Sequence, residues 1–143
     1  MNKQHVRLAA EYLITSELNR RCFHATIQVG TSVYYDIAAF DDHGHIVYLE
    51  VKGSQKPGWM LGAKARTKRD KNLFYALVAF GTVEDAEKPE IFIVPSAVIA
   101  DALVRRNKLA LGFKDFEIKQ YKEAWHLMEL IPSQKFVKAE KIG

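Results

Sequence analysis

The chain has 143 residues, 48% of them hydrophobic and 27% charged, with a net charge of +4. That length suits one ordinary domain with a core of its own, so the sequence reads as a single domain over residues 1–143. The lone cysteine, Cys22, excludes an internal disulfide and a cysteine-rich zinc site, and no apolar run approaches the roughly 20 residues that cross a bilayer.

The N-terminal stretch lacks the apolar core and small-residue cleavage site of a signal peptide, which predicts a cytoplasmic protein. Residues 4–19 place Val6, Ala9, Ala10, Leu13 and Ile14 at helical spacing, with Arg7, Glu11 and Glu17 elsewhere around the helix. Alternation then takes over. Phe23, Ala25, Ile27 and Val29 mark a first strand, Val33–Phe40 a second and His45–Lys52 a third. Asp41-Asp42-His43-Gly44 supplies a tight turn between the last two. Cys22, just ahead of the first strand, reads as a small buried or half-buried hydrophobe. Residues 53–72 are polar and basic and read as a loop with a short helical turn. Leu73–Phe80 suits a helix or a strand, and its β-branched and aromatic content, with Gly81 at its end, favours a buried strand. Ile91–Val94 is a short strand stopped by Pro95. Ser96 then serves as N-cap for a helix over 97–106. Residues 107–116 are irregular, a last helix covers about 119–130, and the tail from Pro132 is loosely held. The order is helix, three-stranded meander, two further strands and helices: an α/β fold with a mixed central sheet flanked by helices.

The chemistry concentrates on the second and third strands. Tyr34, Asp36 and Ala38 are expected on one face, as are Tyr48, Glu50 and Lys52. Counting outward from the turn brings Asp36 close to level with Glu50. Two carboxylates and an ammonium in otherwise apolar strands are costly to bury unpaired. A divalent cation offsets that cost, and two carboxylates with a backbone carbonyl, that of Val51, form a suitable oxygen set for Mg²⁺ or Mn²⁺. Such an ion polarises a phosphodiester and acidifies a water, while Lys52 orients that water or stabilises charge on the phosphate. The bland alternative is a structural ion-pair cluster on a solvated sheet.

Asp36 followed by Glu50-Val51-Lys52 resembles the D…ExK signature of the PD-(D/E)XK, or restriction-endonuclease-like, superfamily, and the spacing lies within that family's usual range. The motif's proline is replaced here by Tyr35. The order of elements is similar as well, closely over residues 5–55 and more loosely beyond, where the chain resembles small uncharacterised relatives of restriction enzymes. Archaeal Holliday-junction resolvases of this family carry a glutamate on the helix ahead of the motif, and Glu11 matches it. The resemblance implies Mg²⁺-dependent cleavage of DNA. It makes Glu11 an auxiliary metal or water ligand and puts Gly53 and Ser54 at the site's edge, although both also suit a plain turn.

Positive charge is concentrated just after the motif, at Lys56, Lys64, Arg66, Lys68, Arg69 and Lys71, against one acid, Asp70. Cations there would neutralise phosphates and position a DNA backbone, duplex or branched. Gln55 and Trp59 in the same loop are candidates for base or sugar contacts. His43 and His45 make an H-x-H pair at a turn, too few ligands for a metal site. Tyr121 and Trp125, four apart on the last helix, read as core packing. Three functions follow: a metal-dependent DNA endonuclease or resolvase-like enzyme, a non-catalytic nucleic-acid-binding or assembly subunit on the same fold, or a subunit of a larger DNA repair or defence complex. A homodimer is expected where both strands of a duplex are cut, since the chain carries one motif.

Overall fold

In the computed structural model, residues 2–28, 34–81 and 88–131 are described. Helix α1 spans Lys3–Arg20 and is capped by Asn2, whose Oδ1 accepts the His5 N–H at 2.9 Å. Val6, Ala10, Ile14 and Leu18 form its buried face, and Glu11 is buried with them. The helix ends where Cys22 takes a left-handed backbone (φ 67°) and Phe23 N–H returns to the Leu18 carbonyl at 3.0 Å. That turn leaves Cys22 exposed, not packed as the sequence suggested, because Phe23 is the residue that enters the core.

Five strands form the main sheet: β1 (His24–Ile27), β2 (Ile37–Phe40), β3 (Ile46–Ser54), β5 (Leu73–Ala79) and β6 (Glu90–Pro95), with spatial order β1-β2-β3-β5-β6. β1, β2 and β3 form the expected antiparallel meander. β3 and β5 run parallel, and β6 is antiparallel to β5, so the sheet is mixed. The turn between β2 and β3 is held by Asp41, whose Oδ1 accepts the N–H groups of His43 and His45. His45 Nδ1 meets the other Asp41 oxygen at 2.6 Å, which accounts for this part of the H-x-H pair.

Residues 55–72 connect the two parallel strands. They are more ordered than a loop. Trp59–Met60 forms β4, which pairs with β7 (Ala110–Leu111) in a separate two-stranded ribbon, and Ala63–Arg66 is a 3₁₀ turn. Trp59 is buried, its Nε1 donating to the Val78 carbonyl at 3.0 Å. It packs edge-on against Phe92 and lines the cleft that also holds Asp36 and Lys52.

Helix α2 spans Ser96–Arg106. Ser96 is its first residue, not its cap, because the hydroxyl donates to the Asp70 carbonyl at 2.7 Å. The expected last helix is two 3₁₀ turns, Ile118–Tyr121 and Trp125–Leu130. They break at Glu123 (φ 51°), whose N–H bonds the Ile91 carbonyl on β6. The tail from Pro132 lies outside the described residues, as does Val33 of the expected second strand.

The sheet separates two cores. On one face α1 packs with Trp125 and Met128 over Ile37, Val47, Leu49, Val51, Phe74 and Ile93. On the other, α2 and the ribbon cover Tyr75, Leu77, Phe92 and Val94. Helix α1 lies tight against the end of β3: a Cβ at Gly53 would stand 2.8 Å from Ala10 Cβ and 3.0 Å from the Val6 carbonyl oxygen. No described helix is long and apolar enough to cross a membrane.

Candidate active site

β2 leaves its regular register at Asp36. Ile37 faces Leu49, yet the Asp36 N–H also donates to the Leu49 carbonyl, at 2.8 Å. The chain bends there, and β2 begins at Ile37. Irregular steps of this kind re-aim a side chain. Here Asp36 Oδ2 turns to β3 and accepts the Val51 N–H at 2.8 Å. Asp36 Oδ1 accepts no hydrogen bond from the described residues.

The bend changes which residues share a wall. Asp36 lines a cleft of about 490 Å³ with Val51, Lys52, Gly53, Gln55 and, from α1, Arg7. Tyr34, expected on the same face as Asp36, lines a different cavity. Glu11 is 6% exposed beside the cleft, with the Arg7 guanidinium 4.0 Å from its carboxylate. Burial pushes the Glu11 carboxyl up, the Asp36 charge adds to the rise, and Arg7 opposes it. Burial also raises Asp36. The Val51 N–H pulls it down, Glu50 raises it, and Lys52 and Arg7 lower it. Glu11, Asp36, Glu50, Lys52 and Arg7 therefore form one electrostatic group drawn from α1, the bend and β3.

Glu50 sits at the far side of this group. Its Oε2 receives the Lys68 ammonium at 2.9 Å, and both side chains are 18% exposed. Lys68 also donates to the Tyr34 carbonyl at 3.2 Å. Behind Glu50, in register on β5, lies Tyr75. Its buried hydroxyl lies against the Glu50 carboxylate without a well-formed hydrogen bond, and burial first, then the Glu50 charge and its hydrogen-bonding approach, raise its pKa far above the ordinary phenol range. Neither partner of Glu50 was legible as such. Lys68 was one of several loop cations, and Tyr75 was one residue of an apolar run.

The remaining cations spread outward. Arg69 pairs with Asp101 at 2.6 Å and Arg66 bonds Asn107 Oδ1 at 3.2 Å. Lys56, Lys64 and Lys71 are exposed. Arg7, on α1, is a cation of the group that the sequence left on the helix exterior.

Among the described residues no three His, Cys, Asp or Glu side chains enclose a metal ion. The donors do fit Mg²⁺ or Mn²⁺, which take one or two carboxylates and complete the shell with water and phosphate oxygens. Asp36 keeps its Oδ1 open, and burial first, then neighbouring carboxylate charge, raises both Asp36 and Glu11.

No protein-family model matches the chain, and no curated protein matches it. A solved structure does: that of a bacterial homing endonuclease, I-Ssp6803I, with a TM-score of 0.60 over 99% of each chain at 16% identity. The fold is nuclease-like. The alignment spans 99% of each chain, so it runs beyond residues 5–55, the stretch of closest sequence resemblance.

Proposed function

We propose that this nuclease-fold chain is a metal-dependent enzyme of the PD-(D/E)XK type that hydrolyses DNA phosphodiesters. The observation that carries this reading is Asp36 and Lys52 on the wall of one cleft with Arg7, with Glu50 and Glu11 close enough to act on the Asp36 charge. A shared fold with a homing endonuclease supports it.

Asp36, Glu50 and the Val51 carbonyl would hold the ion, with Glu11 as an auxiliary ligand to metal or water. A bound Mg²⁺ or Mn²⁺ supplies Lewis acidity at the scissile phosphate. The chain's own residues do the rest. The Val51 N–H fixes the Asp36 carboxylate through its Oδ2 and leaves Oδ1 open. Lys52, on the cleft wall, places an ammonium where charge develops on the phosphate. Arg7, 4.0 Å from Glu11, opposes the burial and the Asp36 charge that raise the Glu11 carboxyl. Lys68 neutralises Glu50 while no ion is bound, and it can pass to a DNA phosphate when one arrives. Lys56, Lys64, Arg66, Arg69 and Lys71 contact the backbone and carry no sequence information.

Incubation of the purified chain with plasmid, linear and branched DNA plus Mg²⁺ or Mn²⁺ tests the reading. Cleavage is expected, lost on chelation and in Lys52→Ala. An absence of cleavage on every substrate, or cleavage undiminished in Lys52→Ala, removes it. DNA binding without cleavage would leave a non-catalytic subunit on a nuclease fold. Cleavage of both duplex strands by one complex would point to a dimer.

A further inference from the structure

The cavity beside the candidate active site is unlike the cleft. It holds about 580 Å³ and is lined by Tyr34, Tyr35, Tyr48, Lys64, Lys68 and Arg69. Three phenol rings and three cations thus surround one concavity, and Asp70 is the only acid on its described wall. The rings come from two adjacent stretches. Tyr35 and Tyr48 lie 4.4 Å apart between centroids, inclined by 39°. Tyr34 is 70% exposed, with the Lys68 ammonium 5.8 Å from its ring centre. Tyr48 is two residues before Glu50 on the same face of β3, a separation of roughly 7 Å along a strand. Lys68 belongs to both places, because it lines this cavity and binds Glu50.

The volume falls in the range of small-ligand pockets, roughly 300–1,000 Å³. Aromatic faces beside clustered ammonium and guanidinium groups match one chemical unit, a planar base attached to a phosphate. Paired bases within a duplex present only their edges in the grooves. A base reaches an aromatic pocket when it is unpaired and splayed from its neighbours. Backbone cations alone would serve a continuous duplex, and they would need no tyrosines.

We propose that this cavity is a subsite for one unpaired nucleotide of the DNA substrate, with the base against Tyr34 and Tyr48 and its phosphate at Lys64 and Arg69. This rests on the nuclease reading above and narrows its substrate to DNA with a single-stranded element next to the cut, such as a fork, flap or junction. Lys68 links the two places: a phosphate entering the cavity draws its ammonium from Glu50 and frees that carboxylate for the metal.

The test is a binding measurement in chelator, so that cleavage plays no part. The probes are a short blunt duplex and the same duplex ending in a splayed fork, with 2-aminopurine as the unpaired base nearest the junction. The wild-type chain should bind the fork about tenfold more tightly, the scale of one base–aromatic stack, and should quench the 2-aminopurine. Tyr34→Ala, a change at an exposed side chain, should bring the fork-to-duplex ratio close to one and abolish the quenching. Tyr12→Ala, at an exposed tyrosine on α1 outside both cavities, should keep both. Equal affinity of the wild-type chain for the two probes, or a full preference surviving in Tyr34→Ala, overturns the subsite. Cleavage of blunt duplex with metal restored, without fork preference, overturns the subsite and leaves the nuclease reading standing. Fork preference with quenching but no cleavage of any DNA supports the subsite as a binding site and overturns the nuclease reading.

Discussion

β3 and β5 lie side by side in parallel register, Tyr48 facing Leu73 and Ser54 facing Ala79, yet they do different work. β5 buries all seven of its residues between the two cores. β3 buries only one face, Val47, Leu49 and Val51, and carries Tyr48, Glu50 and Lys52 half-buried on the other. The difference is one of cover. The second core, under α2 and the ribbon, spans β5 and β6 and stops short of β3. A charged group can remain at β3 because the neighbouring strand supplies the stability that β3 gives up.

Truncation separates the two strands most sharply. Leu77→Ala in β5 should destabilise the chain by about 2–5 kcal/mol, read by chemical denaturation. Lys52→Ala, its partner across the ladder, should change stability by less than about 1 kcal/mol while lowering DNA cleavage about 10²–10³-fold. Similar stability losses in both would erase the division.

A second comparison sets the metal-free chain against the loaded one. Asp36 and Glu11 hold protons more tightly in the folded chain than in the unfolded one. Stability therefore falls as pH rises from the ordinary carboxylate range through their raised values. Asp36→Asn keeps an acceptor for the Val51 N–H and removes one charge. It should flatten that fall and raise Tm at neutral pH without metal. Mg²⁺ or Mn²⁺ at a hundred times Kd should stabilise the native chain by about 2.7 kcal/mol and leave Asp36→Asn unmoved. A native chain whose Tm ignores both metal and pH would contradict this.

The smallest effect lies where the strands touch. Tyr75→Phe removes a buried hydroxyl that lies against Glu50 without a well-formed hydrogen bond, and it should stabilise the chain by about 1 kcal/mol. A loss of stability would mean that the hydroxyl serves Glu50 after all.

Much of this contrast was legible in the sequence. Period-2 alternation marked the meander, and the apolar run over 73–80 marked β5 despite its helical alternative. The Asp41 turn brought Asp36 toward Glu50 by counting alone. What sequence spacing missed was set by single backbone events. Asp36 steps out of register, so Tyr34 and Asp36 part company. Glu123 turns its N–H to β6, so a helix becomes two 3₁₀ turns. Burial of Glu11 depended on how α1 meets the sheet, and the partnership of Lys68 with Glu50 on where residues 55–72 return. Local periodicity carries neither fact. Trp59 read as a loop aromatic because its partner, the Val78 carbonyl, lies on another strand.

Gly53 gives the site its tolerance. With Ala10 and Val6 already at contact distance from where its Cβ would stand, helix and strand are clamped together one residue beyond Lys52. In a saturation library this codon should be among the most intolerant of the region, although glycine there has no side chain to offer a substrate. Loss of function at position 53 would then report the helix–strand gap and not the chemistry. A designer who wants a looser or differently shaped cleft should begin with Ala10→Gly, across the interface, before touching any charged residue.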